Sequence, residues 1–335
     1  MVYRYVPIVR TKAGEADALG NLSAAAKARV FPVIRMTNAV PATFQAKMVQ
    51  QVVNMPFALD GANNFDATGS VGAFVALFNG LGTGGLPVIP AIPFGADQAY
   101  IAAASGLLGS FAPGLVLQCS LADLPGIQNW ASHTQGWNLG EVDLIIDVGG
   151  VGEHNPAQYA NYISHTINQA NLANHPWRSV ALHLWSAPRD HGSLSYGRNM
   201  VQRKDWLTWQ GVYPNVPFDL DFSDSGHVHP SLEEVPGYAM ANATVSVRYT
   251  IDDAWIIHKG VATTGPNGID MGTQYRGHAQ TLIADQDFNQ IPNCWGDDRI
   301  RAYAAAPAGG SAGGRPQWAA ILLNRHISLV ADRLP

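Results

Sequence analysis

Cysteine is almost missing from this sequence: Cys119 and Cys294 are the two in 335 residues. Neither sits in a metal-type spacing, so a disulfide framework or a cysteine-built metal site is not the organising principle. Both read as free thiols of a reducing, cytoplasmic setting. Charge is also scarce. Asp, Glu, Lys and Arg make up 13% of the chain, against about a quarter in ordinary domains. The formal net charge is -5, which argues against general nucleic-acid binding, because a duplex must be met by many cations. No uninterrupted apolar run reaches the roughly 18 residues of a membrane span. Residues 92–108 come nearest and are broken by Gly95, Asp97 and Gly106. The opening segment carries Arg4, Arg10 and Lys12 and no long apolar stretch, unlike a signal peptide. There is no Walker-A lysine motif and no G-x-S-x-G elbow. The run Asp147-Val-Gly-Gly-Val-Gly152 lacks the full dinucleotide-binding spacing. No cofactor is expected.

What is plentiful is apolar residue, 47% of the chain, in short runs that alternate with longer amphipathic ones. Strands are expected at 5–9, 30–36, 57–60, 86–90, 114–119, 142–147, 179–184 and 216–222. Helices are expected between them at 13–29, 43–54, 71–81, 97–108, 124–132, 155–174 and 198–209. Near-continuous apolar strands mark a parallel sheet covered on both faces. Eight such repeats point to an α/β fold, a closed (β/α)8 TIM-like barrel. Beyond residue 225 the pattern changes to a hairpin (243–250 and 254–258) and helices at 273–285, 295–304 and 317–332. The expectation is one barrel domain over 1–335: eight units in 1–225, and a C-terminal hairpin and helical elaboration in 226–335.

Barrel chemistry sits where strands end. Those positions hold Arg10 and Lys12, then Arg35, Asp60, Gln118, Asp147, residues 186–189, and Asp221 with Asp224. Asp60, Asp147 and Asp224 are the candidate catalytic carboxylates, able to pair as acid and base or to hold a divalent cation. Arg10, Lys12, Arg35 and Arg189 are candidates for an anion cradle. Each residue taken singly also has a plain structural role, as a helix cap or a rim salt bridge. His227-Val-His229 alternates like a metal-binding strand pair, but no metal is expected.

Several motifs resemble the "beta protein" family of phages and bacteria. They are Tyr5-Val-Pro-Ile-Val9, Lys12-x-Gly-Glu15 with Ala18-Leu19, Phe31-Pro-Val-Ile34, Phe222-Ser-Asp-Ser-Gly226 with His229-Pro230, and Ser246-Val-Arg-Tyr-Thr250 with Asp253 and Trp255. Gln274-Tyr275, Trp295-Gly-Asp-Asp298, Trp318 and Asn324-Arg-His-Ile327 complete the ordered set. The resemblance implies a single barrel in a phage or mobile-element setting, with relatives beside nuclease-like genes in defence islands. It adds Glu15, Arg248 and Tyr249 to the candidate ligand contacts. A strand arginine inside an apolar run needs an anionic partner if buried, so Arg248 is expected to meet Asp224 or Asp221. Relatives tend to carry Glu in place of Arg35 and a basic residue in place of Gln118. The leading expectation is a barrel that binds a small-molecule or peptide ligand in phage–host conflict, with hydrolysis as its catalytic form. The alternative is a non-catalytic sensor or interaction module for a protein partner.

Overall fold

A computed structural model describes residues 5–170, 172–233, 244–291, 294–307 and 309–335. Arg4 and Ala243 lie outside them. Strands β1 (Ile8–Arg10), β2 (Val33–Arg35), β3 (Phe57–Asp60), β4 (Val88–Pro93), β5 (Leu115–Ser120), β6 (Val142–Gly150) and β7 (Ser179–Trp185) pair in parallel in sequence order. Strand β8 (Gly197–Gln202) lies elsewhere, and β9 (Asp221–Ser223) is the eighth barrel strand, beside β7. The ring closes through a bridge between Tyr5 and Phe222. There the Val6 N–H donates to Phe222 O at 2.8 Å and the Ile8 N–H to Asp224 O at 2.7 Å. The expected (β/α)8 TIM-like barrel is present.

Side chains of a strand alternate between faces, and the core divides accordingly. Ile8, Val33, Ala58, Ala91, Val116, Ile145 and Ala181 belong to a cluster filling the barrel interior. Their neighbours Val9, Ile34, Leu59, Ile92, Leu117, Ile146 and Leu182 belong to a larger cluster beneath the outer helices. At the N-terminal end, Arg178 bonds to Asp143 through Nε at 2.8 Å and also to Pro113 O.

Proline and capping residues account for most shifts in element boundaries. Residues 5–9 and 30–36 shorten to three-residue strands because Pro7 and Pro32 lack an N–H for the ladder. The expected strand 216–222 shortens to Asp221–Ser223. The expected helix 13–29 is two helices, α1 (Ala13–Gly20) and α2 (Ala24–Lys27), since the Ser23 hydroxyl accepts from the Ala26 N–H and starts a new helix. Helices α3 (Ala42–Gln51), α4 (Ala62–Thr68), α5 (Gly72–Thr83), α6 (Gln98–Ser105), α7 (Leu124–Asn129), α8 (Pro156–Gln169) and α9 (Lys204–Val212) follow. The expected helix 198–209 is corrected: its first half is β8, and α9 begins only at Lys204. β8 pairs antiparallel with β11 (Ala254–Lys259), which pairs with β10 (Ser246–Thr250). The hairpin is therefore a three-stranded sheet. Helices α10 (Met271–Ile283), α11 (Trp295–Ala304) and α12 (Arg315–Arg333) pack around it, and Tyr275, Ile300, Trp318 and Ile321 share a core with β10.

Two buried polar clusters join this sheet and its helices to the barrel. In one, Asp224 has no exposed surface. Its Oδ1 accepts from Tyr5 Oη at 2.6 Å and from the Gly226 N–H at 2.8 Å. Its Oδ2 lies 2.9 Å from His326 Nε2 and 3.7 Å from Arg203 Nη2. The other nitrogen of His326 reaches Thr250 Oγ1 at 3.0 Å. In the second cluster, Arg325 meets Asp297 at 3.2 Å and lies over the Tyr249 ring at 4.7 Å, while Tyr249 Oη donates to Asp297 at 2.9 Å. Asn324 donates to Ala18 O at 2.9 Å and accepts from the Gly296 N–H at 3.0 Å. Burial pushes the Asp224 carboxyl up, but His326, Arg203 and Tyr5 outweigh it and hold it below its ordinary value. Nearby Asp205 is raised, chiefly by burial.

Asp297→Ala leaves the Arg325 guanidinium buried without its carboxylate and is expected to cost about 3–5 kcal/mol, read as a lower urea midpoint. The second test uses pH. A depressed carboxylate stabilises the fold above its unfolded value of about 3.9 and loses that contribution as pH falls. Asp205, raised chiefly by burial and in part by Asp224 itself, has the opposite sign and is present in both proteins. The stability gap between wild type and Asp224→Asn should therefore be widest near neutrality and shrink in acid. A gap of constant size from pH 7 to pH 3 would contradict the bonding described for Asp224.

Candidate functional site

The alternation that fills the barrel with Val33, Ala58, Val116, Ile145 and Ala181 places Arg35, Asp60, Gln118, Asp147 and His183 one layer higher, at the C-terminal mouth. The apolar interior thus ends in a polar ring. Arg35 Nε donates to Asp60 Oδ2 at 3.0 Å, and Arg35 Nη2 donates to Gln118 Oε1 at 3.1 Å. The two positions that depart from the family resemblance, Arg35 and Gln118, are therefore in contact. Asp60 also accepts from the Ala62 N–H at 3.0 Å through its other oxygen. Both oxygens of Asp60 are engaged.

Asp147 is less occupied. Its Oδ1 accepts from the Gly149 N–H at 2.9 Å. Gly149 has φ +84°, a left-handed conformation that favours glycine. A register shift between Asp147 and Gly149 marks a bulge that turns the end of β6 at the mouth. The glycines of Asp147-Val-Gly-Gly-Val-Gly152 thus shape a strand end. His183 is buried beside these groups, with Nδ1 3.0 Å from Ser223 Oγ. Burial pushes its imidazole below the ordinary value, and this outweighs the nearby Asp147 carboxylate. Sequence reading passed over His183 because it lies inside an apolar run, but its place two residues after Ala181 marks it as mouth-facing.

Above the ring lies an open cleft of about 600 Å³. Its walls include Arg35, Asp60, Asn63, Asp66, Phe94, Gln118, Ser120, Asp123 and Asp147. Asp123 accepts from the Ser120 hydroxyl at 2.6 Å. Cys119 also borders the cleft, but burial, with Asp123 and Asp147 nearby, pushes its thiol up to about 12. Such a thiol is not a nucleophile at neutral pH.

Of the candidate residues, Asp60, Asp147 and Arg35 share this cleft; the rest do not. Asp224 is sealed in the cluster with Tyr5 and His326, so it is corrected from a mouth carboxylate to a buried one. Glu15 bonds to Arg10 at 2.8 Å and borders a small cavity of about 30 Å³ that adjoins the cleft at Arg35 and Leu232. Lys12 is the N-cap residue of α1. Arg189 is exposed and paired with Glu233; Arg10 and Arg35 of the expected anion cradle stand in register side by side, each held by a carboxylate, Glu15 and Asp60. Tyr249 is buried against Asp297. Arg248 does not meet Asp224 or Asp221. Its guanidinium bonds to His227 O, to Pro188 O at 2.9 Å and to His191 Nε2 at 2.8 Å, and lies over the Trp255 ring. Burial pulls it down to about 10. His229 packs edge-on to Trp185. Among the described residues no three His, Cys, Asp or Glu side chains converge as metal ligands.

The sequence profile described as Beta protein matches residues 5–332. No curated protein matches the chain. Among solved structures, the arginine decarboxylase of Paramecium bursaria Chlorella virus is 12% identical over 80% of this chain and 88% of that chain, with a TM-score of 0.23. At that score the overlay bears on neither fold nor chemistry. No helix of the described residues is long and apolar enough to cross a membrane. The profile runs nearly end to end and takes in the strands, the mouth and both buried clusters, so the chain belongs to the Beta protein family.

Proposed function

We propose that the barrel mouth binds a small polar ligand carrying positive charge, with Asp147 as its principal anchor. The supporting observation is charge balance. Asp60, Asp66, Asp123 and Asp147 line the cleft with Arg35, and Arg35 is already engaged by Asp60 and Gln118. A cation entering there meets carboxylates in a partly desolvated setting, where their attraction exceeds its value in water. An anion meets mostly like charge. The Arg35–Asp60 pair acts as a fixed wall, and Asp147 supplies the available oxygen. In a hydrolytic form of this reading Asp147 is the general base, taking a proton from the attacking water. Asp60 is committed to Arg35 and the Ala62 amide, and Asp224 is out of reach. The setting in phage–host conflict, and a cytoplasmic location, come from the family resemblance and belong to the same proposal.

The test is a thermal-shift and calorimetric titration with small amines and guanidines on one side and phosphate and acetate on the other. Amines should raise the Tm of the wild type and bind Asp147→Asn roughly 10- to 100-fold more weakly, as expected for loss of a charge-assisted contact. Equal stabilisation by the anions, or undiminished amine binding by Asp147→Asn, would remove the basis of the proposal.

A further inference from the structure

We propose that the cleft recognises an α-amino amide, the group found at the N-terminus of a peptide, and that Gln118 is the residue that reads it. This rests on the cationic-ligand reading and adds a neutral acceptor to it. Gln118 is 5% exposed, and its Nε2 has no hydrogen-bond partner. A buried amide donor without a partner is costly and rare. Arg35 has donors only, so the atom it touches at 3.1 Å must be Oε1, which sets the orientation of the amide. The end left free is therefore the donor. Asp147 stands on the adjacent strand, where β5 and β6 are in register with Ser120 opposite Asp147. Gln118 itself lies opposite Ile145, so Asp147 stands diagonally from it, two residues nearer the mouth. Both residues line the cleft, which thus carries an unpartnered donor and a carboxylate.

The complementary ligand presents an acceptor beside a cation. A carboxylate acceptor is disfavoured by the acidic walls; an uncharged carbonyl is not. An ammonium and an amide carbonyl on adjoining carbons satisfy Asp147 and Gln118 together. Phe94 supplies the third element. It lines the same cleft at 36% exposure, with Trp130 edge-on behind it at 5.0 Å. Its face is an apolar wall for the first side chain of the ligand. The cleft volume lies within the range of small-ligand pockets. A free amino-acid amide and a peptide N-terminus share this chemistry.

The intact chain is titrated calorimetrically with phenylalaninamide, phenethylamine, N-acetylphenylalaninamide, phenylalanine and a tripeptide amide with N-terminal phenylalanine. Phenylalaninamide should bind about tenfold tighter than phenethylamine, the worth of one buried hydrogen bond. The acetylated probe, having no charge, should not bind, and phenylalanine should bind more weakly than its amide. Gln118→Met should narrow the advantage of the amide over phenethylamine to about twofold or less. Tripeptide binding as tight as that of phenylalaninamide assigns the peptide source, and weaker binding assigns the free amide. If phenethylamine and the amide bind wild type equally, the role given to Gln118 is overturned and the cationic-ligand reading stands. If no amine binds at all, the underlying reading fails first.

Discussion

A carboxylate with no exposed surface must be bonded on both oxygens, and Asp224 is. One oxygen holds Tyr5, from the segment that closes the barrel, and the Gly226 amide; the other faces His326 of α12 and Arg203. Those bonds come from three distant parts of the sequence. The main-chain oxygen of the same residue receives the Ile8 N–H. Barrel closure and the attachment of the three-stranded sheet therefore share one residue. If its partners were absent, Asp224 would have to be protonated or hydrated, and the seam around it would open.

The second cluster repeats this arrangement with Asp297 and Arg325. Together the two clusters account for motifs that, as sequence, look like chemistry. Phe222-Ser-Asp-Ser-Gly226, Arg248-Tyr249, Trp295-Gly-Asp-Asp298 and Asn324-Arg-His-Ile327 meet at or beside the seam. Buried charges that must be matched leave little freedom in residue type, so a fold can impose a motif as strictly as a reaction does. The mouth is built otherwise. There a shorter set of polar residues, Arg35, Asp60, Gln118 and Asp147, continues the inward-facing register of the strands.

The barrel was legible because apolar runs and amphipathic helices are local patterns. Six of the eight expected strands overlap their barrel strands by three residues or more, the first and last overlap by two, and Asp60 and Asp147 follow from strand ends alone. β8 was not legible. Gly197-Arg-Asn-Met-Val-Gln202 has too few apolar residues to announce a strand, and its partner β11 lies more than fifty residues later. The place of Asp224 was hidden for the same reason: the distance in sequence to His326 is 102 residues. Spacing shows which residues end a strand, but not which of them a later helix will cover. The contact of Arg35 with Gln118, with β3 and β4 between their strands, depends on barrel curvature, which no window of sequence contains.

Seen as a matter of biosynthesis, the link between Asp224 and His326 imposes a delay. The eighth strand is made 102 residues before the histidine that bonds to its carboxylate. At roughly 5–20 residues per second, that interval lasts on the order of ten seconds. Throughout it, a ribosome-bound chain holds all eight barrel strands and an Asp224 without its last partner. The nascent barrel must keep that wall hydrated until α12 arrives, so its final closure waits on that helix.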